Sequence, residues 1–240
     1  MVCSQVNFER LADAAVASFG ESEARDWADY SERASLHGPV GLQRKPGELL
    51  YTTPLGVGVS KGRSGHGWGR PDAAFWCCYG TGVEALARLR DGVFWRLPAG
   101  SAVPGTDQHA DVDTVYVARV TTSASAVWEE RGGLTVTVRV APFGTDPKSG
   151  KDQKSRQTTL ASVAAISVRS GKGAKSSKPT SIRVKLPRWS SGGSERSTTS
   201  CALNGERVRC DDVSAGWCDV RREWRRTVSL FLVWQYGQFD

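Results

Sequence analysis

Two adjacent cysteines, Cys77 and Cys78, lie within residues 74–84, whose sequence is AFWCCYGTGVE. Apolar side chains at helical spacing follow over residues 83–90, and the glycines between the cysteines and this segment are typical of a flexible lead into a helix. We therefore expect both thiols beside the positive end of the helix dipole. That field favours the thiolate, which is the form that attacks electrophiles and binds soft metals.

A plainer interpretation of Cys77 and Cys78 is that both are small buried core residues, because free cysteine is among the most buried residue types. A disulfide between neighbours strains the peptide that joins them, and an ordinary core rarely holds two thiols in a row. The pattern favours a chemical role over the core interpretation.

The composition describes a folded globular protein. Of 240 residues, 39% are hydrophobic and 24% are charged, and this length accommodates one large domain or two smaller ones, of which we expect two. No run of eighteen apolar residues occurs, so no membrane span is expected. The first residues, MVCSQ, have neither a basic stretch nor an apolar one, so no signal peptide is expected in the chain as given.

The net charge of +7 is concentrated in one part of the chain. Residues 142–200 hold twelve Lys or Arg side chains and three acidic ones, so they carry more than the whole net charge. Many lie in Ser/Gly/Lys-rich segments such as 170–178, without interleaved aromatic residues for base stacking. We interpret these segments as solvated loops between strands rather than as a nucleic-acid site.

Two helices are predicted before residue 38. Apolar side chains recur at helical spacing over residues 5–19 and 21–36, and the single Gly20 between them predicts an antiparallel hairpin. The first helix has an apolar stripe, and the second has inward and outward faces. The stripe consists of Phe8, Leu11, Ala12, Ala15 and Phe19, the inward residues are Trp27, Tyr30 and Ala34, and the outward residues are Arg25, Glu32 and Arg33.

Residues 39–71 form a long glycine-rich loop, within which residues 48–55 are predicted as a short strand or an extended crossing. A loop of this length inside a compact domain is usually a lid or a binding loop. Its aromatic faces and hydrogen-bond donors are typical of a sugar-binding site. The side chains concerned are Tyr51, Lys61, Arg63, His66 and Trp68.

After about residue 95 the sequence changes to short segments in which apolar and polar residues alternate. Turn-forming residues such as Asn204-Gly205 separate these segments. Several short strands at this spacing predict an antiparallel sandwich, in which we expect the later cysteines to be buried thiols or one local disulfide. The chain is thus predicted to be α+β. The predicted strands cover residues 115–120, 134–140, 162–168, 181–186 and 227–233, and the later cysteines are Cys201, Cys210 and Cys218.

Ordered motifs along nearly the whole chain resemble the β-L-arabinofuranosidase family, glycoside hydrolase family 127, in its plant-like form. The N-terminal motifs are WADYSERA at 27–34, GLQR at 41–44, PLGVGVSK at 54–61, HGWG at 66–69 and FWCCYGTGVE at 75–84. The motifs similar to that family's β-sandwich region are SIRVKLPRWS at 181–190, ALNGE at 202–206 and GWCDVRREW at 216–224. The resemblance implies that residues 1–95 are the C-terminal part of an (α/α)6 catalytic barrel. Residues 96–240 would be a β-sandwich region of one or two sandwiches, with a break near 170–180.

The resemblance also implies an activity and a cofactor: retaining cleavage of an arabinofuranoside-like carbohydrate at a zinc site with a cysteine nucleophile. Soft thiolates select zinc over magnesium or calcium, in agreement with this assignment. The implied nucleophile is Cys77, the implied zinc ligands are Cys3, Cys77 and Cys78, and we assign substrate contacts to Tyr51, His66 and Tyr79.

The family pattern includes two groups that this sequence does not show. A glutamate ligand precedes the third cysteine by two residues in the family, and Met1 stands at that position here. The acid/base glutamate would lie upstream. Glu9 is placed roughly 240° around a helix from Cys3 and is not expected to replace the ligand. General acid catalysis contributes about 10²- to 10⁴-fold, so the resemblance predicts a hydrolase-like chain that is incomplete as given.

Two alternatives from other classes remain at this stage. One is a non-catalytic carbohydrate-binding or assembly module whose exposed helix faces pair with another chain, with apolar side chains at Phe8, Leu11, Trp27 and Tyr30. The other is a redox thiol protein built on Cys77 and Cys78, which predicts reversible oxidation without glycosidase activity.

Overall fold

The computed structural model describes residues 2–44, 47–54, 56–70, 72–129, 133–140, 161–169, 179–187, 200–203, 206–208, 216–224 and 228–235. Three α-helices precede ten of the thirteen strands in these ranges, so the chain is a mixed α+β protein, as the sequence predicts. None of the helices within these ranges combines the length and the apolar character that a membrane crossing requires.

The helices are α1 (Val2–Ser18), α2 (Glu21–Ser35) and α3 (Cys77–Ala87). Hydrogen bonds join Glu9 of α1 to Ser35 of α2, and Asp13 of α1 to Ser31 of α2. Because the partners move backwards along α2 as α1 advances, the two helices are antiparallel. The predicted helical hairpin is confirmed.

The predicted apolar stripe of α1 is buried at Ala12 and Ala15 but not at its three larger side chains. Phe8 and Leu11 are each 56% exposed, and Phe19 is also exposed. The buried face consists mainly of small residues, because α2 and α3 both pack closely against it. Its members are Val2, Val6, Glu9, Ala12, Ala15 and Val16.

The prediction for α2 is also wrong at two positions. Tyr30, expected to face inward, is exposed, and Glu32, expected to face outward, is only 1% exposed. Electrostatics explains the second difference: the Glu32 carboxylate forms an ion pair with Lys185 that compensates for its removal from water.

A π-helical turn (Leu36–Val40) follows α2 and leads into a small antiparallel sheet. Its strands are β1 (Gln43–Arg44), β2 (Glu48–Leu50) and β3 (Trp68–Gly69), with β2 in the centre. The strand predicted over 48–55 is therefore shorter than expected. The loop between β2 and β3 then carries Tyr51 and His66 toward α3.

Helix α3 begins at Cys77, six residues earlier than the sequence predicts, and Trp76 is its N-cap. It therefore contains both cysteines. A Cβ added to Gly82 would lie 3.3 Å from Leu49 Cδ1. Close packing of this kind explains how a helix forms through glycines of low helix propensity.

The remaining strands form two larger sheets, called here the two-sheet unit. The four-stranded sheet has the order β12-β9-β5-β4 and the six-stranded sheet the order β11-β10-β13-β8-β7-β6. The strands are β4 (Phe94–Leu97), β5 (Asp113–Val117), β6 (Ala124–Trp128), β7 (Leu134–Val140), β8 (Ala161–Arg169), β9 (Thr180–Lys185), β10 (Ser200–Leu203), β11 (Glu206–Val208), β12 (Trp217–Arg222) and β13 (Val228–Gln235).

The pairing is antiparallel except between β5 and β9, which are parallel, with Asp113 opposite Thr180 and Val117 opposite Val184. The expectation of a wholly antiparallel arrangement is therefore wrong at this pair. Parallel neighbours need a long crossover connection, and the chain between β5 and β9 supplies it through strands of the other sheet.

The two larger sheets share one hydrophobic core. Alternate residues of β7 are buried, and they pack with buried residues of β5, β8, β9 and β12, so the period-two pattern predicts the inward positions correctly. Cys218 belongs to this core. Cys201 and Cys210 have no described side chains.

Buried ion pairs join the helices to the two-sheet unit. The ammonium of Lys185, in β9, lies 2.7 Å from Glu32 and 2.9 Å from Asp29, and the Lys185 side chain is 0% exposed. The guanidinium of Arg119 lies 2.9 Å from both Glu9 and Asp13. We call these six residues the ionic network.

Two cations of the basic region lie in the predicted strand over 181–186, and both form ion pairs. Lys185 is one of its twelve cations and is buried, not solvated, and Arg183 pairs with Asp219 at 3.0 Å. The segment 170–178, interpreted as a solvated loop, lies outside the described residues.

Candidate active site

The structure brings the three predicted metal ligands together. Cys3 comes from the first turn of α1, and Cys77 and Cys78 come from the first turn of α3. The Cys3 and Cys78 sulfurs are 2.9 Å apart, and all three sulfurs lie within 4.8 Å of one another. One ion could contact all of them.

The donor set fits a soft metal such as zinc. In tetrahedral coordination with Zn–S bonds of about 2.3 Å, neighbouring sulfurs are about 3.8 Å apart, a value that lies between the two limits found here. Among the described residues, no histidine or carboxylate joins the three sulfurs in this cluster. Met1, where the resemblance would place a glutamate ligand, lies outside the described residues.

The two adjacent cysteines differ sharply in exposure. Consecutive helical residues point about 100° apart, so one side chain can face the core while the next faces solvent. Cys78 is 1% exposed, whereas Cys77 is exposed and Cys3 is half-buried. Cys77 is therefore the sulfur that an incoming molecule can reach most directly.

Two hydroxyl groups contact the sulfurs. The Tyr51 hydroxyl lies 3.2 Å from Cys77 Sγ, and the hydrogen bond to Cys77 raises the pKa of Tyr51, with a smaller contribution from Cys78. The Thr81 hydroxyl donates to the Cys77 carbonyl oxygen at 2.9 Å and lies 3.3 Å from Cys3 Sγ. Both hydroxyls therefore help to fix the sulfurs in place.

The thiols of Cys3 and Cys78 influence each other. Burial alone would raise the pKa of Cys78, but hydrogen bonding, chiefly from Cys3, outweighs it and lowers the pKa. The same contact raises the pKa of Cys3. The Cys3–Cys78 contact thus shifts the two pKa values in opposite directions.

Aromatic rings cluster around Tyr51, whose hydroxyl contacts the exposed Cys77 sulfur. Tyr51 contacts His66, Tyr79 and Trp76 with ring centroids 4.5, 5.5 and 5.7 Å apart, and His66 lies 4.1 Å from Trp76. Of the three residues assigned to substrate contact, Tyr51 thus contacts Cys77 directly, and His66 and Tyr79 contact the Tyr51 ring. Their role in binding stays a prediction.

An open cleft of about 260 Å³ continues from these rings. One wall depends on a glycine: a Cβ at Gly69 would lie 2.2 Å from the Tyr79 ring, so the ring can pack directly on the backbone of β3. Burial raises the pKa of Tyr79. The cleft is lined by His66, Trp68, Gly69, Arg70, Ala73, Ala74, Trp76 and Tyr79.

Trp76 and Thr81 were not among the site residues predicted from the sequence. Trp76 precedes the cysteine pair, and Thr81 follows Cys77 by one helical turn, so a helix starting at Cys77 would have indicated Thr81. Glu9 is engaged elsewhere, since its carboxylate binds Ser35 and Arg119, in agreement with the expectation that it does not replace the missing ligand.

Comparison with known proteins connects this geometry to a family. Residues 3–91 match the family model described as "Beta-L-arabinofuranosidase, GH127 catalytic domain", which confirms the resemblance seen in the motifs. The chain is therefore similar to the catalytic domains of glycoside hydrolases. Within that class it is similar to the β-L-arabinofuranosidases of GH127. A search of curated proteins found no match.

Solved structures are similar to this chain at low sequence identity. One titled "Glycoside hydrolase" has a TM-score of 0.53 at 14% identity, covering 88% of this chain and 29% of that one. The GH127 β-arabinofuranosidase BT3674 has a TM-score of 0.52 at 14% identity, and the match covers 90% of this chain and 30% of that one. Ara127N-Se, a GH127 β-L-arabinofuranosidase from Geobacillus stearothermophilus T6, has a TM-score of 0.48 at 17% identity, and the match covers 88% of this chain and 28% of that one. The chain spans less than a third of each of these proteins.

Proposed function

We propose that this chain is the C-terminal part of a β-L-arabinofuranosidase-like glycoside hydrolase, with Cys77 as the nucleophile and zinc as the cofactor. The observation that carries the proposal is the exposed Cys77 sulfur, which lies within 4.8 Å of two further thiols and 3.2 Å from the Tyr51 hydroxyl. The Tyr51 ring in turn contacts His66 and Trp76, which line the aromatic cleft. An arabinofuranoside-like carbohydrate is the proposed substrate class.

The arrangement of the helices supports the corresponding division of the chain. Cys3 of α1 contacts Thr81 of α3, and further along α1 Arg10 pairs with Glu84, so α1 and α3 run in the same direction while α2 runs opposite. Stacked helical hairpins alternate in this way. We assign residues 1–95 to part of an (α/α)6 barrel and residues 96–240 to a β-sandwich region.

The chemistry follows from the residues around the cleft. The Cys77 thiolate attacks the anomeric carbon, a C–S bond forms, and the bond to the leaving oxygen breaks; water later releases the sugar with net retention. Tyr51 positions the sulfur, and His66 and Trp76 offer ring faces to the sugar. Zinc held by Cys3, Cys77 and Cys78 would keep these sulfurs deprotonated at neutral pH.

The proton for the leaving group is not supplied by the thiol cluster, which contains no carboxylate among the described residues. An activated aryl leaving group does not need that proton. We therefore expect the chain to react with a dinitrophenyl β-L-arabinofuranoside far more readily than with an alkyl β-L-arabinofuranoside.

The test is a single-turnover measurement of dinitrophenolate release, followed by peptide mass spectrometry. A pentosyl adduct on Cys77, together with loss of release in Cys77→Ala, supports the proposal. Cys218→Ala serves as the thiol control, since Cys218 is buried in the core of the two-sheet unit. Equal release by the Cys77→Ala protein, or an adduct on another residue, refutes the assignment of the nucleophile.

Metal analysis tests the cofactor separately. After dialysis against a weak chelator, native mass spectrometry should show one zinc per chain, and Cys3→Ala, Cys77→Ala and Cys78→Ala should each reduce zinc retention. Retention that is unchanged in all three variants, or that is absent from the parent protein, contradicts the zinc assignment.

A second function is favoured by one observation, the exposed apolar side chains of α1. Phe8 and Leu11 leave an uncovered face that suits a non-catalytic carbohydrate-binding or assembly module. That function predicts self-association or sugar binding without zinc and without turnover. Size-exclusion chromatography of Phe8→Ser/Leu11→Ser distinguishes it, because an assembly that depends on this face would dissociate.

A further inference from the structure

One close pair of sulfurs in the cluster joins two residues that are distant in sequence. Cys3 and Cys78 lie 75 residues apart in sequence and 2.9 Å apart in space, and they connect the first turns of α1 and α3. Cys78 is buried and Cys3 is half-buried, so one member of the pair can be reached from solvent.

Geometry disfavours a disulfide between Cys77 and Cys78. Consecutive Cα atoms across a trans peptide are about 3.8 Å apart, which is below the range of about 4.4–6.8 Å that disulfides span. Cys3 and Cys78 belong to different helices and are not subject to this constraint. The contact of 2.9 Å between their sulfurs favours Cys3 and Cys78 as the pair that an oxidant joins.

We propose that Cys3 and Cys78 form a redox modification site, at which a low-molecular-weight disulfide links α1 to α3. Cys3 is the sulfur of the pair that solvent reaches, and after it loses its proton it attacks the reagent disulfide, which forms a mixed disulfide and releases one reagent thiolate. The Cys78 thiolate then attacks the Cys3 sulfur and releases the second. Two protein thiols are oxidised and one reagent disulfide is reduced to two thiols.

The link has a consequence for the metal site. It withdraws two of the three sulfurs from metal binding and leaves Cys77 as a single exposed thiol. Oxidation and metal binding are then mutually exclusive. The cross-link itself depends only on the sulfur positions, whereas mutual exclusion rests on the proposed zinc site.

The experiment uses the full chain in chelator with bis(2-hydroxyethyl) disulfide, followed by alkylation, digestion and mass spectrometry. The expected product joins the Cys3 peptide to the peptide of residues 77–78, with a mass lower by about 2 Da than the two free peptides. Cys77→Ser should keep this product, and Cys3→Ser and Cys78→Ser should abolish it.

Several outcomes would overturn the proposal: a Cys77–Cys78 disulfide, a cross-link that persists in Cys78→Ser, or mixed disulfides without any cross-link. The same reaction in concentrated guanidinium is the control for folding, and it should lose the preference for Cys3 and Cys78. A preference that survives denaturation would show that the folded structure does not direct it.

The second part of the experiment repeats the cross-linking with zinc present. At free zinc ten times its Kd, cross-linking should slow by about tenfold, because only the metal-free fraction reacts. Unchanged cross-linking under these conditions would overturn mutual exclusion and count against the zinc site. The result in chelator would still decide whether Cys3 and Cys78 are the reactive pair.

Discussion

Replacement of Lys185 by methionine tests how the helices are held on the two-sheet unit. The Lys185 ammonium donates to Glu32 at 2.7 Å and to the Ala28 carbonyl oxygen at 3.2 Å, and it pairs with Asp29 at 2.9 Å. Methionine retains most of the volume of the aliphatic stem, so packing changes little. What the variant removes is the charge that compensates two buried carboxylates.

The expected fall in the free energy of unfolding follows from the loss of this charge. Breaking a buried ion pair by removing one partner costs about 3–5 kcal/mol, because a charge remains buried without compensation. Glu32 cannot turn toward water without losing its hydrogen bonds from the backbone of Val120 and Thr121. For a chain of this size we expect the midpoint of thermal unfolding to fall by roughly 6–20 °C.

Urea unfolding followed by circular dichroism measures the effect, and Arg221→Met is the matched control. Arg221 pairs with Asp111 at 2.7 Å with both side chains exposed, so its loss should cost about 1 kcal/mol or less. The double variant Lys185→Met/Glu32→Gln should recover about 1–2 kcal/mol relative to Lys185→Met. If Lys185→Met costs no more than Arg221→Met, the reasoning about the ionic network fails.

Two further predictions concern the backbone and the site. Gly216 has a φ of +75°, and a Cβ there would lie 2.0 Å from Arg25 Nε, so Gly216→Ala should destabilise by more than Gly100→Ala, which has φ +81° and open space. Equal urea midpoints for the two variants would contradict the contact with Arg25. Tyr51→Phe should slow alkylation of Cys77 by iodoacetamide severalfold, because the Cys77 sulfur loses the hydroxyl group that contacts it at 3.2 Å. An unchanged rate would show that the contact has no influence on reactivity.

Strands in which buried and exposed residues alternate were the part of the fold that could be predicted from the sequence. The strand predicted over 134–140 matches β7 (Leu134–Val140), because period-two burial is a local property of the chain. The strands β1 (Gln43–Arg44) and β3 (Trp68–Gly69) were not predicted, since two-residue segments form only through pairing with β2. Their partners could not be inferred from local pattern.

Burial of charge was the least predictable feature. Glu32 and Lys185 are 153 residues apart in sequence, and each belongs to a residue type that is usually exposed to solvent. Only the packing of α2 against β9 makes their burial favourable. The convergence of Cys3 with Cys77 and Cys78 was likewise implied by the family resemblance and not by spacing, because no local rule relates residues on α1 and α3.

The ionic network and the thiol cluster share helix α1. Cys3 and Glu9 are separated by six residues, or about 9 Å along the helix axis. Glu9 and Asp13 both pair with Arg119, which comes directly after β5, whereas the pair between Arg10 of α1 and Glu84 of α3 is exposed and therefore weak. The buried ion pairs fix the axial position of α1 relative to the two-sheet unit. They do so more strongly than the exposed pair fixes that position relative to α3. A one-residue slip of α1 would move the Cys3 sulfur away from Cys78, so the position of a metal ligand in the helical part depends on contacts made by the β part.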